Sequence, residues 1–365
     1  MIVNICKNVD AILRYFGVHI ITSRQTIERT LQLTTFVDRL SYDHVRVGDH
    51  ILIPDTGAVY PNAHTILSAM AVLTKRVRLS TAVTDSYRRH PAEIAQAVAT
   101  LDVLTSGRAM LGIGAGEVMN LEPFGIEWVS PVRRLREAVE VIRLLWSATP
   151  DKPATYRGRI FQLRDAFLQV SPLQKPTPPI YIGAAGPKTR ELAGMIGDGW
   201  LPVAVETPKT LKRHLEDVEK GAERSGRRAD ELDIDVTVYT AISDDFEESY
   251  QCVAPSVKGV LVQQREVLKE LTGIEIPESL SLQRMDPTDR SSLEAMNELA
   301  GKIPRSVVEE VAAFGSPDSC IKKLEEFLKS GATSITICNL SPEPEKTFRI
   351  YSEKIIPYMR EIYSG

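Results

Sequence analysis

The chain has 365 residues with 44 basic and 48 acidic side chains, a formal charge of −4, so neither sign is in excess enough to recruit nucleic acid or an anionic membrane surface. Its length suits two domains or one large barrel with insertions. Cys6, Cys252, Cys320 and Cys338 are scattered without C-x-x-C or Cys/His spacing, while Lys7, Asp10 and Arg14 break up the N-terminal apolar residues and no uncharged run approaches a membrane span. These features predict free thiols, no metal site, no signal peptide and a cytoplasmic location.

Residues 1–14 read as an appendage, followed by a first strand at Tyr15–Ile21. A helix is expected over Thr22–Leu40, with apolar residues at helical spacing and Ser23 or Thr22 as its N-cap. Asp43–Val47 is a second strand, stopping at Gly48-Asp49-His50. The pattern then repeats: helix Thr65–Leu73, strand Val77–Val83, a helix over Pro91–Leu104 that opens on proline, strand Arg108–Gly112, and the amphipathic helix Pro131–Trp146. Periodicity lapses between about residues 149 and 179, which predicts an excursion outside the sheet. Strand Ile180–Gly183, helix Pro187–Ile196, strand Asp198–Leu201, helix Pro208–Ser225 and strand Ile234–Ala241 follow. A second excursion, helical and carrying PES, DPT and GKIP turns, is expected over about 253–303. Helix Pro317–Ser330, strand Ser334–Cys338 and helix Phe348–Tyr363 complete the chain. Eight strands alternating with helices predict a (β/α)8 TIM barrel, with an open doubly wound sheet as the alternative.

In such a barrel the chemistry sits where strands end. That singles out Asp49-His50, Thr84-Asp85, Gly114–Glu117, Ala184–Gly186 and Pro202–Val205. Gly112, Gly114 and Gly116 end the fourth strand in a bare turn, with Glu117 next and Asn120 a helical turn later. His50 can titrate near neutrality, or be a structural histidine satisfied by backbone. Glu117 can carry a proton, or complement a helix N-terminus. His19, inward on the first strand, can line the pocket. Gly183-Ala184-Ala185-Gly186-Pro187 makes a seat for a phosphate at a helix N-terminus, or is a turn that needs small residues. The chain has no G-x-G-x-x-G fingerprint, P-loop lysine, G-x-S-x-G elbow or H-E-x-x-H motif, which argues against a classical nicotinamide fold and against a hydrolase.

From about Tyr15 onward the ordered motifs YDHVRVGDH, HPAEIAQAVATLD, LTSGRAMLGIGAGEVMN, GIEWVSPV, PIYIGAAGPKTRELAGMIGDGW and GSPDSCIKKLEEFLKSG resemble the bacterial-luciferase-like barrel superfamily, in its branch that uses the deazaflavin coenzyme F420. GIEWVSPV is similar to methylenetetrahydromethanopterin reductases; GAGEVMN and the DH pair are similar to F420-dependent alcohol and glucose-6-phosphate dehydrogenases. The resemblance implies one barrel domain over residues 15–365, with F420 lying across its C-terminal mouth. It implies a non-prolyl cis peptide at Ala82-Val83 against the ring, with Asp49, Gly114, Ala115, Gly116 and Asn120 around ring and tail. Ala184, Ala185 and Gly186 would receive the phosphate, and His50 and Glu117 match the acid/base pair of the dehydrogenases. It further implies a homodimer formed through barrel helices.

Three departures bear on the substrate. Pro54 stands where the dehydrogenases carry tryptophan, Ser23 where they carry a carboxylate, and Glu206 and Glu310 align with cations that bind a sugar phosphate, so a phosphorylated sugar is not expected. Because carbon replaces flavin N5, the expected chemistry is hydride transfer between F420 and an organic small molecule. A methylene-pterin is the favoured acceptor and one-carbon metabolism the favoured setting. An F420-dependent alcohol dehydrogenase, an FMN-dependent monooxygenase and a catalytically silent flavin-binding protein are the alternatives.

Overall fold

Eight short strands carry the architecture: β1 (Tyr15–His19), β2 (His44–Val47), β3 (Arg78–Thr81), β4 (Ala109–Gly114), β5 (Ile180–Ala184), β6 (Gly199–Pro202), β7 (Asp233–Ile242) and β8 (Ser334–Asn339). The computed structural model describes residues 11–53, 59–203, 205–280 and 289–363. Each barrel strand pairs in parallel with its neighbours, and the ring closes through β6–β7, β7–β8 and β8–β1. The result is the expected (β/α)8 barrel. Its outward residues, such as Val18, Val45, Leu79, Ile113, Ile182 and Ile337, are buried beneath the helices. Strands covered on both faces need this apolar outer row.

The inner face is polar. Gly17 pairs with His44 and His19 with Arg46 across β1 and β2, and His44 and Arg46 are almost fully buried. Gly17 makes room for the imidazole: a Cβ there would fall 1.9 Å from His44 Nε2. Arg46 stacks over the Tyr181 ring at 4.6 Å and brings Nη2 to 2.5 Å from Asp235 Oδ2. Asp235 Oδ1 accepts from Thr336 Oγ1, which also meets His44 Nε2, both at 2.7 Å.

Several boundaries move for identifiable reasons. The first helix starts at Ile27 rather than Thr22, because Thr26 is its N-cap, accepting from Arg29 N–H, and Thr22–Arg24 form a separate 3-10 turn. The last helix is divided into Pro344–Ile350, a π turn over Tyr351–Ile355, and Ile356–Tyr363. Pro357 lies just past the π turn and cannot supply the backbone donor that an unbroken α-helix needs there. Leu13 is buried and its N–H donates to Tyr363 O, so residues 11–14 are laced to the chain's end.

The first excursion is a hairpin, Ala154–Arg157 against Gln162–Ala166. Its turn is held by Glu137, which accepts from the N–H groups of Arg159, Ile160 and Phe161 at 3.1, 2.8 and 3.0 Å. The second begins earlier than expected, at Phe246, and includes helices Phe246–Val262, Arg265–Thr272, Arg290–Lys302 and Arg305–Val311. They bury Val253, Val257, Leu261, Leu268 and Val308 in a cluster of their own. An unanticipated strand, Ala312–Gly315, follows and pairs with Tyr239–Ile242 of β7. It takes the edge that β6 leaves after pairing only with Asp233 and Ile234. Cys6 and the rest of residues 1–10, Pro54 and the DPT turn lie outside the described residues. Among the described residues no helix is long and apolar enough to cross a membrane, and no group of three or more His, Cys, Asp or Glu side chains could hold a metal ion.

Candidate active site

Asp49 follows the end of β2 and is buried, receiving Thr84 Oγ1 at 2.7 Å, Arg89 Nη1 at 2.7 Å and Arg88 Nη2 at 3.1 Å. Arg88 also donates to the Asp49 carbonyl at 2.7 Å and through Nε to Asp85 at 2.5 Å. Burial works against the charge on Asp49, but the two guanidinium groups and the Thr84 hydroxyl outweigh it and hold the carboxyl below its ordinary range. Asp49 therefore clamps the β2 loop to the β3 loop.

Next to it, His50 points Nδ1 at Glu117 Oε2, 3.1 Å away. Asn120 Nδ2 lies 3.1 Å from both of those atoms, and Asn120 Oδ1 accepts from Ile51 and Leu52 N–H at 2.6 and 3.0 Å. One amide thus ties the end of β2 to the turn after β4. The imidazole meets the Tyr60 ring edge-on at 5.1 Å. Burial disfavours the imidazolium, but the Glu117 carboxylate more than compensates and raises the His50 pKa. Burial likewise disfavours the Glu117 anion, and His50 and Asn120 bring its pKa below the ordinary value. Each partner thus favours the charged form of the other, with side chains 25% and 30% exposed. His19 behaves oppositely: burial, then the charges of His50 and Arg46, push it down to about 4.

The Ala82-Val83 peptide is cis, and the Val83 side chain enters the mouth. A Cβ on Gly114 would fall 2.7 Å from Val83 Cγ2, and one on Gly183 would fall 2.9 Å from both Val83 Cγ atoms and 3.0 Å from Val203 Cγ1. Bare glycines on β4 and β5 make space for this apolar floor, and Gly116 turns the chain away at φ +76°. Trp128 Nε1 donates to Ala115 O at 2.9 Å, bracing the turn from outside.

Residues 12–334 match the luciferase-like monooxygenase family. The chain belongs to that family. Among its relatives, a phthiodiolone/phenolphthiodiolone dimycocerosates ketoreductase of Mycobacterium tuberculosis is 32% identical over 78% of this chain and 76% of its own. The 5,10-methylenetetrahydromethanopterin reductase of Archaeoglobus fulgidus is 29% identical over 82% and 88%. A solved F420-dependent secondary alcohol dehydrogenase, in complex with an F420-acetone adduct, superposes with a TM-score of 0.81 at 27% identity, covering 95% of this chain and 99% of that one.

In this luciferase-like barrel the singled-out residues come from the C-terminal ends of β2, β3, β4 and β5, and Pro202 and Val203 from that of β6, with Ala204 outside the described residues. Direct contacts join Asp49 to Thr84, His50 to Glu117 and Asn120, and Val83 to the space beside Gly114 and Gly183. Ala184 ends β5 and is buried, its carbonyl accepting from Trp200 Nε1 at 2.9 Å, whereas Ala185 and Gly186 lead into the helix Pro187–Ile196, whose N-cap Gly186 has no side-chain cap. Ala185 and Gly186 are exposed. That end leaves backbone N–H groups for an anion. Glu206 is not turned to the mouth: it accepts from His214 Nδ1 at 2.9 Å and from Thr210 Oγ1 at 2.5 Å, and is buried. Glu310 is exposed. The sequence reading missed Tyr60, whose hydroxyl lies 2.2 Å from where a Gly48 Cβ would stand, because its loop has no period. It also missed Arg88 and Arg89, although two adjacent cations just past the Thr84-Asp85 strand end were a usable signal.

Proposed function

We propose that this protein is an F420-dependent oxidoreductase that interconverts a carbonyl compound and its alcohol. The observation that carries this reading is the His50–Glu117 ion pair, held by Asn120 at a mouth floored by Val83 and opened by glycines. Small residues there suit a flat ring, and the uncapped helix start at Gly186 suits the phosphate of its tail. Bound in that mouth, F420 would supply a two-electron hydride donor or acceptor without one-electron or oxygen chemistry. The chain's own residues then need only position the partner and manage one proton. The imidazolium of His50 presents that proton to a carbonyl oxygen in reduction, and neutral imidazole accepts it in oxidation. Glu117 stabilises the charged imidazole and orients it through Nδ1. Asp49 keeps the loop in place by holding Arg88 and Arg89.

The relatives support this reading, since one reduces a ketone and the other, by its printed name, is an F420-dependent secondary alcohol dehydrogenase. A methylene-pterin acceptor is the second reading, favoured by the reductase relative and by the GIEWVSPV segment, Gly125–Val132, braced against Ala115 through Trp128. We also propose a homodimer built on barrel helices, where Val72, Leu73, Val103 and Leu104 are exposed. Fluorescence titration with F420 and with FMN tests the cofactor. Tight F420 binding is expected, followed by a gain of the oxidised cofactor's absorbance and fluorescence when the reduced cofactor is incubated with simple ketones or a methylene-pterin. FMN binding with oxygen consumption and no F420 affinity would overturn the reading.

A further inference from the structure

The His50 imidazole is fixed along one edge by groups already described and along the other by a residue that the proposed chemistry does not use. Glu117 Oε2 and Asn120 Nδ2 each lie 3.1 Å from His50 Nδ1. The opposite edge of the ring, at Cδ2, faces Gly48 and Tyr60. A Cβ placed on Gly48 would fall 3.4 Å from His50 Cδ2 and 2.2 Å from Tyr60 Oη, so the phenol end reaches the side of the imidazole away from Nδ1. The two ring centroids are 5.1 Å apart with planes at 79°, an arrangement in which aromatic rings attract.

Tyr60 is itself held from both sides. Val59 N–H donates to Ser23 O at 3.4 Å, and Asn62 caps the helix Ala63–Leu73 by accepting from Thr65 N–H at 3.1 Å. That helix buries Ala63, Ile66, Leu67 and Met70, so the backbone carrying Tyr60 is tied to the core within one turn. Gly48 is not among the glycines with positive φ, so Tyr60 rather than the backbone keeps a side chain out of that position. Burial first, and then the Glu117 charge, raise the Tyr60 phenol. It keeps its proton and does not compete with His50 as the acid–base group.

We propose that Tyr60 is a positioning residue for His50: its ring backs the Cδ2 edge of the imidazole, which stays turned with Nδ1 on Glu117 and Nε2 open to the substrate. The kinetic consequence rests on the oxidoreductase reading above, whereas the orientation of the ring needs no cofactor. A contact of this kind biases ring orientation about two- to tenfold. The groups facing His50 set the sign of the effect. Glu117 and Asp49 favour the imidazolium, Arg88 opposes it, and His19 on β1, pushed down to about 4, is neutral at pH 7. Tyr60 is faced in turn by Glu117, Asp49 and Cys338. An imidazole released from Tyr60 swings off Glu117, the strongest of its attractions, and its pKa falls back toward 6.5.

Two measurements on the full chain test this. Magnetic resonance of the histidine ring carbons in cofactor-free protein follows the titration of His50, identified by the signal lost in His50→Ala. Steady-state kinetics follow acetone reduction with reduced F420 against pH. Tyr60→Ala is expected to lower the His50 midpoint toward 6.5 and to lower kcat about two- to tenfold, with KM for acetone little changed and the falling limb moved to lower pH. Tyr60→Phe, which keeps the ring, is expected to restore most of what Tyr60→Ala loses. Gly48→Ala reaches the same contact from the other side: its methyl displaces the hydroxyl and should reproduce Tyr60→Ala even if that variant fails to fold. Gly48→Ala/Tyr60→Phe should recover, because without the hydroxyl the nearest atoms are Tyr60 Cζ at 3.2 Å and His50 Cδ2 at 3.4 Å. F420 titration of the same samples keeps the two ideas apart: if wild type does not bind F420, the oxidoreductase reading falls and the His50 midpoints alone judge Tyr60. A midpoint unmoved or raised in Tyr60→Ala and Gly48→Ala, a Tyr60→Phe as impaired as Tyr60→Ala, or a double variant that does not recover overturns the inference.

Discussion

Val83 and Gly183 sit so close that a single methyl group on the glycine would come within 2.9 Å of both Val83 Cγ atoms. Real Cβ atoms do not approach so near, and the third neighbour, Val203, closes the remaining side at 3.0 Å. Gly183→Ala must therefore displace the floor of the mouth. Overpacking of this kind costs about 1–3 kcal/mol, and the expected signature is an F420 dissociation constant raised at least about tenfold. Fluorescence titration beside thermal unfolding measures both. Gly259→Ala, inside the helix Phe246–Val262 with nothing within 4 Å of the added Cβ, is the comparison that leaves cofactor affinity intact.

Asp49→Asn probes the clamp between loops. Its carboxylate balances Arg88 and Arg89, and all three side chains are largely buried. Removing the anion leaves Arg89 without its counter-ion and Arg88 with Asp85 alone, and breaking a buried pair in this way costs about 3–5 kcal/mol. Denaturant unfolding is expected to show that loss. Because burial, which raises the Asp49 carboxyl, is outweighed by the two guanidinium groups and the net shift is downward, its share of stability is present above the unfolded carboxylate value and disappears as pH falls through the folded one. The difference between wild type and variant should thus shrink in acid.

Much of this was visible in the chain's pattern, for physical reasons. Eight strands could be placed because parallel strands buried on both faces leave apolar runs such as Ala109–Ile113 and Ile180–Ile182 bounded by glycine. Glu117 stood out because it comes straight after the glycine turn that ends the first of those runs, and Asp49 and His50 because they come straight after β2. By contrast, His44 and Arg46 in β2 alternate with valines, a pattern that reads as a solvated face, whereas their inward side is the closed interior of the barrel. Ala312–Gly315 went unseen because four small residues between two helices carry no period of their own. Thr26 lost to Ser23 as the expected cap because both are good caps, and only the 3-10 turn at Thr22–Arg24 decides between them.

The interior charges of the barrel give a further prediction. Arg46 Nη2 approaches Asp235 Oδ2 without hydrogen-bond geometry, and Nε and Nη1 of Arg46 have no partner among the described residues. Burial first, opposed by Arg46, pushes the Asp235 carboxyl up to about 6. A pair so poorly satisfied gives little net stability. Asp235→Asn alone should destabilise strongly by leaving the guanidinium uncompensated. Arg46→Met with Asp235→Asn should be neutral or more stable than wild type by about 1–4 kcal/mol. Urea unfolding of the three variants decides this, and a double variant as unstable as the single one would show that the pair holds the barrel together.

The pH dependence of turnover follows from the opposite shifts of His50 and Glu117. His50 lies above its ordinary 6.5 because, against burial, the Glu117 carboxylate favours the imidazolium. Ketone reduction, which consumes the His50 proton, should hold steady below that raised value and decline as pH rises through it, while alcohol oxidation gains over the same range. Glu117→Gln removes the anion that retains the proton, so the falling limb should move to lower pH. His50→Ala should cost about 10²–10⁴ in kcat/KM. Stability carries the same signature. The His50 share is complete below 6.5 and fades through its raised folded pKa, and the Glu117 share is complete above 4.5 and fades through its depressed one. The stability gap between wild type and Glu117→Gln should be widest between those two values and narrower at pH 9. Profiles of log kcat/KM against pH, with unfolding at pH 5.5 and 9, measure both; a limb unmoved in Glu117→Gln would take His50 out of the proton transfer.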